Sequence, residues 1–405
     1  MAFGASGTER GKGGYGAAVQ TGSAPTVEQA GEFRIRRLES IRALAALAVL
    51  ESHAWGWHNG YSARATSGFF HRFLASGDFG VNVFFTLTGF LLFSAFAREI
   101  TEQGQKVNLR RYFQNRALRI LPLYYFVVLV YVPIAGREGH WKQWLAFFGF
   151  VENYSRATFL QVDPPMWSLV VEVQFYILLP VLTWAFLWVF GRRPRVLAAL
   201  LVAAGVSSAV LWVIYGSSTT APLILQRSML INFNFFAAGM LLALAALTVR
   251  GDMTGRRLVG SSDMWLALSV PIFVLGIAYR PLIPLTALAT MLLVGGAGLS
   301  LRPGFGTSLL DTRVLASLGV ISYSLYLWHY PIVKKFATLG PFQSFPVLLV
   351  ASLAVCIPLA FASYALIEAP FLRLRRRWSR KGSVPDPQPE RSTREPPTVA
   401  SSPSS

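Results

Sequence analysis

Residues 38–57 read LESIRALAALAVLESHAWGW, a run long enough to cross about 30 Å of hydrocarbon as a helix, yet it carries Arg42 and His53. Eleven helical steps bring these two side chains to within ~20° around the axis and ~16 Å apart along it, so they share one face. An ionisable group in the membrane costs about 2.5 to 3.5 kcal/mol and as a rule faces a cavity or pathway. The pair is therefore a candidate functional stripe. The competing explanation is that Arg42 snorkels to the headgroups and His53 satisfies a packed neighbour.

Further apolar runs follow near 79–97, 117–135, 165–190, 196–215, 222–249, 263–279, 281–300, 314–336 and 345–371. With 38–57 they predict an all-α integral membrane protein of about ten transmembrane helices in one bundle, spanning residues 33–376. Pro271, Pro281 and Pro284 allow broken or re-entrant helices in the 263–300 region, and Trp144–Val151 is short enough to be interfacial. The composition agrees: of 405 residues, 53% are apolar and only 14% charged, with a mean hydropathy of +0.46. Residues 1–32 are rich in Gly, Ala, Ser and Thr with no signal-length apolar run, and 377–405 in Pro, Ser and charge. Both are expected to be disordered cytoplasmic tails, without cleavage.

The net charge of +18 does not imply nucleic acid, because the basic residues lie between apolar spans, where they orient helices and meet anionic lipid. Arg and Lys gather on the loops sharing a side with the termini (Arg34, Arg36, Arg37, Arg98, Lys106, Arg110, Arg111, Arg192, Arg193, Arg195, and the Arg373–Lys381 run) and are sparse opposite. That bias predicts a multi-pass protein of the inner or plasma membrane with both termini cytoplasmic. The single cysteine, Cys356, sits in a late apolar run and reads as a packing residue.

Arg42 then enters near the cytoplasmic boundary, and Arg116 and Arg119 open the third run from the same side within RRYFQNRALRILP. Three residues apart, the latter pair shares a helix face, and guanidinium forks suit phosphate oxygens; positive-inside anchoring explains Arg116 as well. His53, His329 in SLYLWHYPIV and Glu172 in MWSLVVEVQFY are expected at a common depth in the outer half. An imidazole beside a carboxylate in a partly dry cavity can take a proton from a hydroxyl. Packing roles for His329 and Glu172 remain open at this point. Asp78, Asn82, Trp167 and Trp328 could line the same cavity. His58, His71 and His140 lack metal-ligand spacing and read as surface residues. There is no Walker lysine, GxSxG elbow or HExxH, which removes several enzyme classes.

Six ordered stretches, RLESIRALAALAVLESH, VNVFFTLTGFLL, RALRILPLYY, MWSLVVEVQFYILLP, LGVISYSLYLWHYPIV and SYALIEAPF, resemble the membrane-bound acyltransferase-3 family over about residues 34–376. The resemblance implies an acyl-CoA-dependent O-acyltransferase without a bound cofactor or metal. It makes Arg42, His53, Arg116 and Arg119 functional and matches Glu172 to the family's WSLxxE glutamate; the mechanism expected here has Arg42, Arg116 and Arg119 bind acyl-CoA and His53, Glu172 and His329 catalytic, with His53 the general base and Glu172 or His329 orienting the imidazole or acceptor. It also implies an acetyl or other short acyl group placed on a glycan, lipid-linked saccharide or glycosylated natural product such as a macrolide. Glu39 stands where the family more often has Asp, Val173 where a second Glu is frequent, and Asn82 where Asp is common. Some members continue into an extracytoplasmic hydrolase domain; this chain is expected to act alone or with separate partners. From the residues alone, a transporter or acyl-group translocator is the alternative, since intramembrane His, Glu and Arg also build proton relays.

Overall fold

The computed structural model describes residues 27–60, 68–103, 105–135, 141–155, 158, 163–216, 222–250, 262–299, 304–342 and 344–381. Among these every regular element is helical. In chain order they are α1 (Val27–Asn59), α2 (Phe69–Ala75), α3 (Gly80–Ile100), α4 (Leu109–Ala135), α5 (Trp141–Phe148), α6 (Trp167–Phe190), α7 (Pro194–Leu211) and α8 (Leu223–Gln226). There follow α9 (Met229–Arg250), α10 (Ser262–Ala278), α11 (Thr286–Leu299), α12 (Phe305–Leu310), α13 (Arg313–Val320), α14 (Ser322–Ala337), α15 (Phe345–Ser363) and α16 (Ala369–Lys381).

All ten apolar runs are helical, but only seven segments among the described residues are long and apolar enough to cross a membrane: Phe69–Ile100, Leu109–Pro133, Pro164–Phe190, Pro194–Gly216, Ile224–Leu247, Pro281–Leu299 and Phe345–Arg375. Helix α10 is apolar but shorter. Helix α1 falls outside because Arg42, Glu51 and His53 dilute its apolarity, and α13 and α14 because, at 8 and 16 residues, each is too short. The proline-rich region forms two helices joined by a 3-10 turn, Arg280–Leu285. Helix α5 has eight residues, too few to span. At the ends, α1 begins at Val27 and α16 runs to Lys381, each reaching into a stretch expected to be a tail; residues 1–26 and 382–405 lie outside the described residues.

Lipid is as apolar as leucine, so membrane helices associate through close packing rather than exclusion of water. Here glycine does that work. A Cβ on Gly239 of α9 would lie 2.1 Å from the Thr86 carbonyl oxygen of α3, and one on Gly89 2.4 Å from that of Phe236. The two backbones thus touch, and Phe236 stacks on Phe85 and Phe175 at 4.7 and 4.3 Å. Trp184 and Trp188 of α6 are instead 68% and 78% exposed, an outward face suited to lipid. Helix α1 runs through the middle, packed on α3, α11, α13, α14 and α15. Its Arg37, read from sequence as an orientation charge, is 5% exposed and grips Asp311 with two bonds of 2.9 and 2.8 Å. Ser40 donates to the Leu310 carbonyl at 2.6 Å.

Glu152, on the 3-10 turn Glu152–Tyr154, is 2% exposed. It accepts a 3.2 Å bond from the Tyr124 hydroxyl, and burial pushes its carboxyl from 4.5 up to about 8. A carboxyl held more tightly protonated in the folded state contributes stability that is whole below about 4.5 and is lost as pH rises through about 8.

Two outcomes are expected. Gly239→Val should destabilise the detergent-solubilised protein by about 1 to 3 kcal/mol through overpacking, read as a lower melting temperature, whereas Ala245→Val, at an exposed position of the same helix, should leave it unchanged. Thermal stability measured from pH 5 to 8 should decline, and Glu152→Gln should flatten that decline; an unchanged slope would mean that Glu152 is ionised throughout.

Candidate active site

One helical turn of α1 carries Glu39 and Arg42, joined by a 3.7 Å ion pair, with the Arg42 side chain 16% exposed. Both line a cavity of ≈ 260 Å³ that also receives Arg116 and Arg119 from α4, Thr88 from α3, Ser168, Glu172 and Tyr176 from α6, Ser322, Tyr323 and Tyr326 from α14, and Arg375 from α16. Four guanidiniums face two carboxylates. The Nε atoms of Arg42 and Arg116, one oxygen of Glu39 and the Ser322 hydroxyl are buried without a hydrogen-bond partner. Such orphaned groups are costly in a dry interior and are satisfied when a polar ligand or water enters. The donor set, forked and cationic, suits phosphate oxygens.

Glu172 is placed among these guanidiniums. Its Oε1 accepts from the Thr88 hydroxyl at 2.6 Å and the Tyr176 hydroxyl at 2.5 Å, and its charge acts on Arg42. Tyr176 lies under Arg116, whose guanidinium carbon is 6.0 Å from the ring centre. The hydrogen-bond partners of Glu172 are therefore not imidazoles, in contrast to the expected grouping with His53 and His329.

The imidazoles form their own pair. The rings of His53 and His329 are 5.2 Å apart at 31°, and Tyr330 stands edge-on to His53 at 5.2 Å. His329 is 1% exposed, and its Nδ1 lies 2.6 Å from the Tyr326 carbonyl oxygen. A carbonyl only accepts, so Nδ1 carries the hydrogen and the neutral ring keeps its lone pair at Nε2. That Nε2 is buried without a hydrogen-bond partner.

Tyr326 joins the two regions. Its side chain lines the cavity, its hydroxyl meets Ser168 at 2.7 Å and the Pro165 carbonyl at 2.8 Å, and its own carbonyl fixes His329. His329 follows three residues later, one turn or ~4.5 Å further along α14.

The proposed acceptor-cavity residues are dispersed: Asp78 precedes α3 on a 3-10 turn, Asn82 is 7% exposed inside α3, Trp167 is covered by Arg227 at 4.7 Å, and Trp328 donates to Ser363 at 3.0 Å. None of the four lines the ≈ 260 Å³ cavity. His58 and His71 are exposed; His140 lies outside the described residues. Tyr176, Tyr326, Glu368 and Arg375 were missed from sequence. Tyr176 had a signal, standing one turn after Glu172, and Glu368 lay within the SYALIEAPF stretch.

A family model described as an acyltransferase domain, acyltransferase-3, matches residues 35–365. The chain belongs to the acyltransferase-3 family. It is 23% identical over 322 residues to the peptidoglycan O-acetyltransferase OatA of Listeria monocytogenes, covering 73% of this chain and 49% of that protein. It is 27% identical over 371 residues to nodulation protein 10 of Rhizobium leguminosarum bv. viciae, covering 83% and 92%. A third relative is the putative peptidoglycan O-acetyltransferase YrhL of Bacillus subtilis, 25% identical over 373 residues, 82% of this chain and 54% of that one. The chain thus spans about half the length of the peptidoglycan O-acetyltransferases it matches. No solved structure matches. With its apolar helices, this acyltransferase-3 protein is a multi-pass membrane protein.

The cavity's charge gives a direct test. Pyrophosphate should raise the melting temperature of the solubilised protein, less so at high salt, and Arg42→Ala and Arg119→Ala should each abolish most of the shift. A shift that persists in both variants would place anion binding elsewhere.

Proposed function

We propose that this protein is a membrane O-acyltransferase that moves an acetyl group from acetyl-CoA to a hydroxyl of a carbohydrate acceptor. The observation that carries the reading is one cavity lined by four guanidiniums and by Tyr326, the latter a single turn of α14 from two adjacent imidazoles. A donor with an anionic head and a long thin arm has that shape. The ~16 Å between Arg42 and His53 along α1 is comparable to a pantetheine arm.

In this reading both termini are cytoplasmic, the donor enters from that side, and Arg42, Arg116 and Arg119 hold its diphosphate. Glu172 holds Arg42 and Tyr176 in place and offsets part of the cationic charge. The acceptor hydroxyl gives its proton to His53 as its oxygen attacks the thioester carbonyl; the carbon–sulfur bond then breaks, and the thiolate leaves with the proton returned by the imidazolium. His329, its tautomer fixed by Tyr326, presents Nε2 toward the reacting groups and shares the proton with His53. The bundle excludes water that would hydrolyse the thioester. Two relatives are named for peptidoglycan, which puts a glycan hydroxyl first among acceptors.

Membranes carrying the protein, incubated with radiolabelled acetyl-CoA and a panel of glycan and macrolide acceptors, should transfer label to product. His53→Ala should lower the rate by about 10²-fold or more at equal expression. Equal rates would remove His53 as the base, and no transfer to any acceptor would favour a translocator.

A further inference from the structure

Arg375 stands out among the cavity's four guanidiniums because it comes from α16 and lies beyond residues 35–365, the part matched to the family. Resting on the donor reading above, we infer that Arg375 recognises the ribose 3′-phosphate of the coenzyme A donor.

The placement follows from the last helix. Before α16 the chain makes a π-helical turn, Tyr364–Glu368, in which Glu368 is 3% exposed and accepts a hydrogen bond from Ser324. The charges of Arg119 and Arg42 act on Glu368, so its face of the helix looks toward the guanidinium cluster. Arg375 follows seven residues later, ~20° around the helix and ~10 Å along it. It shares that face, further out. Arg375 stands within the basic run Arg373–Arg377, of the kind that marks the cytoplasmic end of a membrane helix, and its side chain still lines the cavity. Helix α16 packs on α4, the helix that supplies Arg116 and Arg119.

The chemistry of the donor is ordered the same way. Its thioester is at one end, its diphosphate lies partway, and its ribose carries the 3′-phosphate beyond both. A donor entering thioester first sets its diphosphate on the deeper guanidiniums and leaves the 3′-phosphate at the mouth. A phosphate monoester bears between one and two negative charges at neutral pH, and a guanidinium fork meets two of its oxygens at once.

The test uses the full chain in uncharged detergent and measures equilibrium binding of coenzyme A and of 3′-dephospho-coenzyme A, with no acceptor present. Wild type should bind coenzyme A about tenfold more tightly, the effect of one charge-assisted hydrogen-bonded contact. Arg375→Gln should bind the two equally while keeping wild-type affinity for the dephospho form, and Arg375→Lys should keep part of the preference. An Arg375→Gln protein that still prefers coenzyme A overturns the inference, as does one that loses both ligands together, which would assign Arg375 to structure. So does an unchanged preference accompanied by weaker association with anionic vesicles, which would assign it to lipid headgroups. Wild type binding both forms equally would sink the role of Arg375 alone, whereas wild type binding neither would sink the donor reading itself.

Discussion

A guanidinium cannot be left facing hydrocarbon, and the membrane part of this protein is arranged around that constraint. Arg42 sits within an apolar helix, and Arg116 and Arg119 open another. The cost of several kcal/mol for each such charge is avoided by turning all of them into a shared polar cavity. Glu39 and Glu172 face them there, and the Tyr176 ring lies under Arg116. Because its polar lining groups come from α1, α3, α4, α6, α14 and α16, the cavity exists only when these helices are assembled. Its cost is therefore also a specification of the bundle.

Close backbone contact makes that specification rigid. A Cβ at Gly319 would lie 1.9 Å from the carbonyl oxygen of Glu39, so α13 is pressed against the turn of α1 that presents Glu39 and Arg42. Two residues after Gly319 begins the buried stretch 321–330, which supplies Ser322, Tyr323 and Tyr326 to the cavity and His329 to the imidazole pair. The Arg37–Asp311 pair pins the same region from the other side. Thus the contact that fixes the cationic end also fixes the register of α14, and with it the position of the imidazoles.

The helical class, the existence of each apolar helix and the convergence of Arg42, Arg116 and Arg119 were legible because they rest on local periodicity: an apolar run must be helical in lipid, and spacing within a helix sets its faces. The pairing of His53 with His329 was legible in outline, as two imidazoles at one depth. The grouping of Glu172 was not, because depth on separate helices does not determine rotation or lateral neighbours. Thr88 and Tyr176, which capture its carboxylate, are a hydroxyl on α3 and a tyrosine whose other neighbours had to be known. Arg375 and Arg37 were hidden by a sound rule. Basic residues at helix ends orient membrane proteins, and nothing in the local sequence separates those that do only this from one that turns inward.

The separation of Glu172 from the imidazoles has a chemical logic. A carboxylate touching either ring would accept from a ring N–H and favour the imidazolium. At His329 a neutral backbone carbonyl takes Nδ1 instead, which fixes the tautomer without adding negative charge and leaves Nε2 available. The carboxylate is placed where it is useful, among guanidiniums whose mutual repulsion it lowers, and Thr88 and Tyr176 hold its Oε1 in place. The cavity lining carries the charge, while the imidazole pair lies outside that lining, one turn of α14 beyond Tyr326. That polarity suits a substrate that is anionic at its head and uncharged at its reactive end, and it would serve poorly for passing a small ion evenly through the bundle.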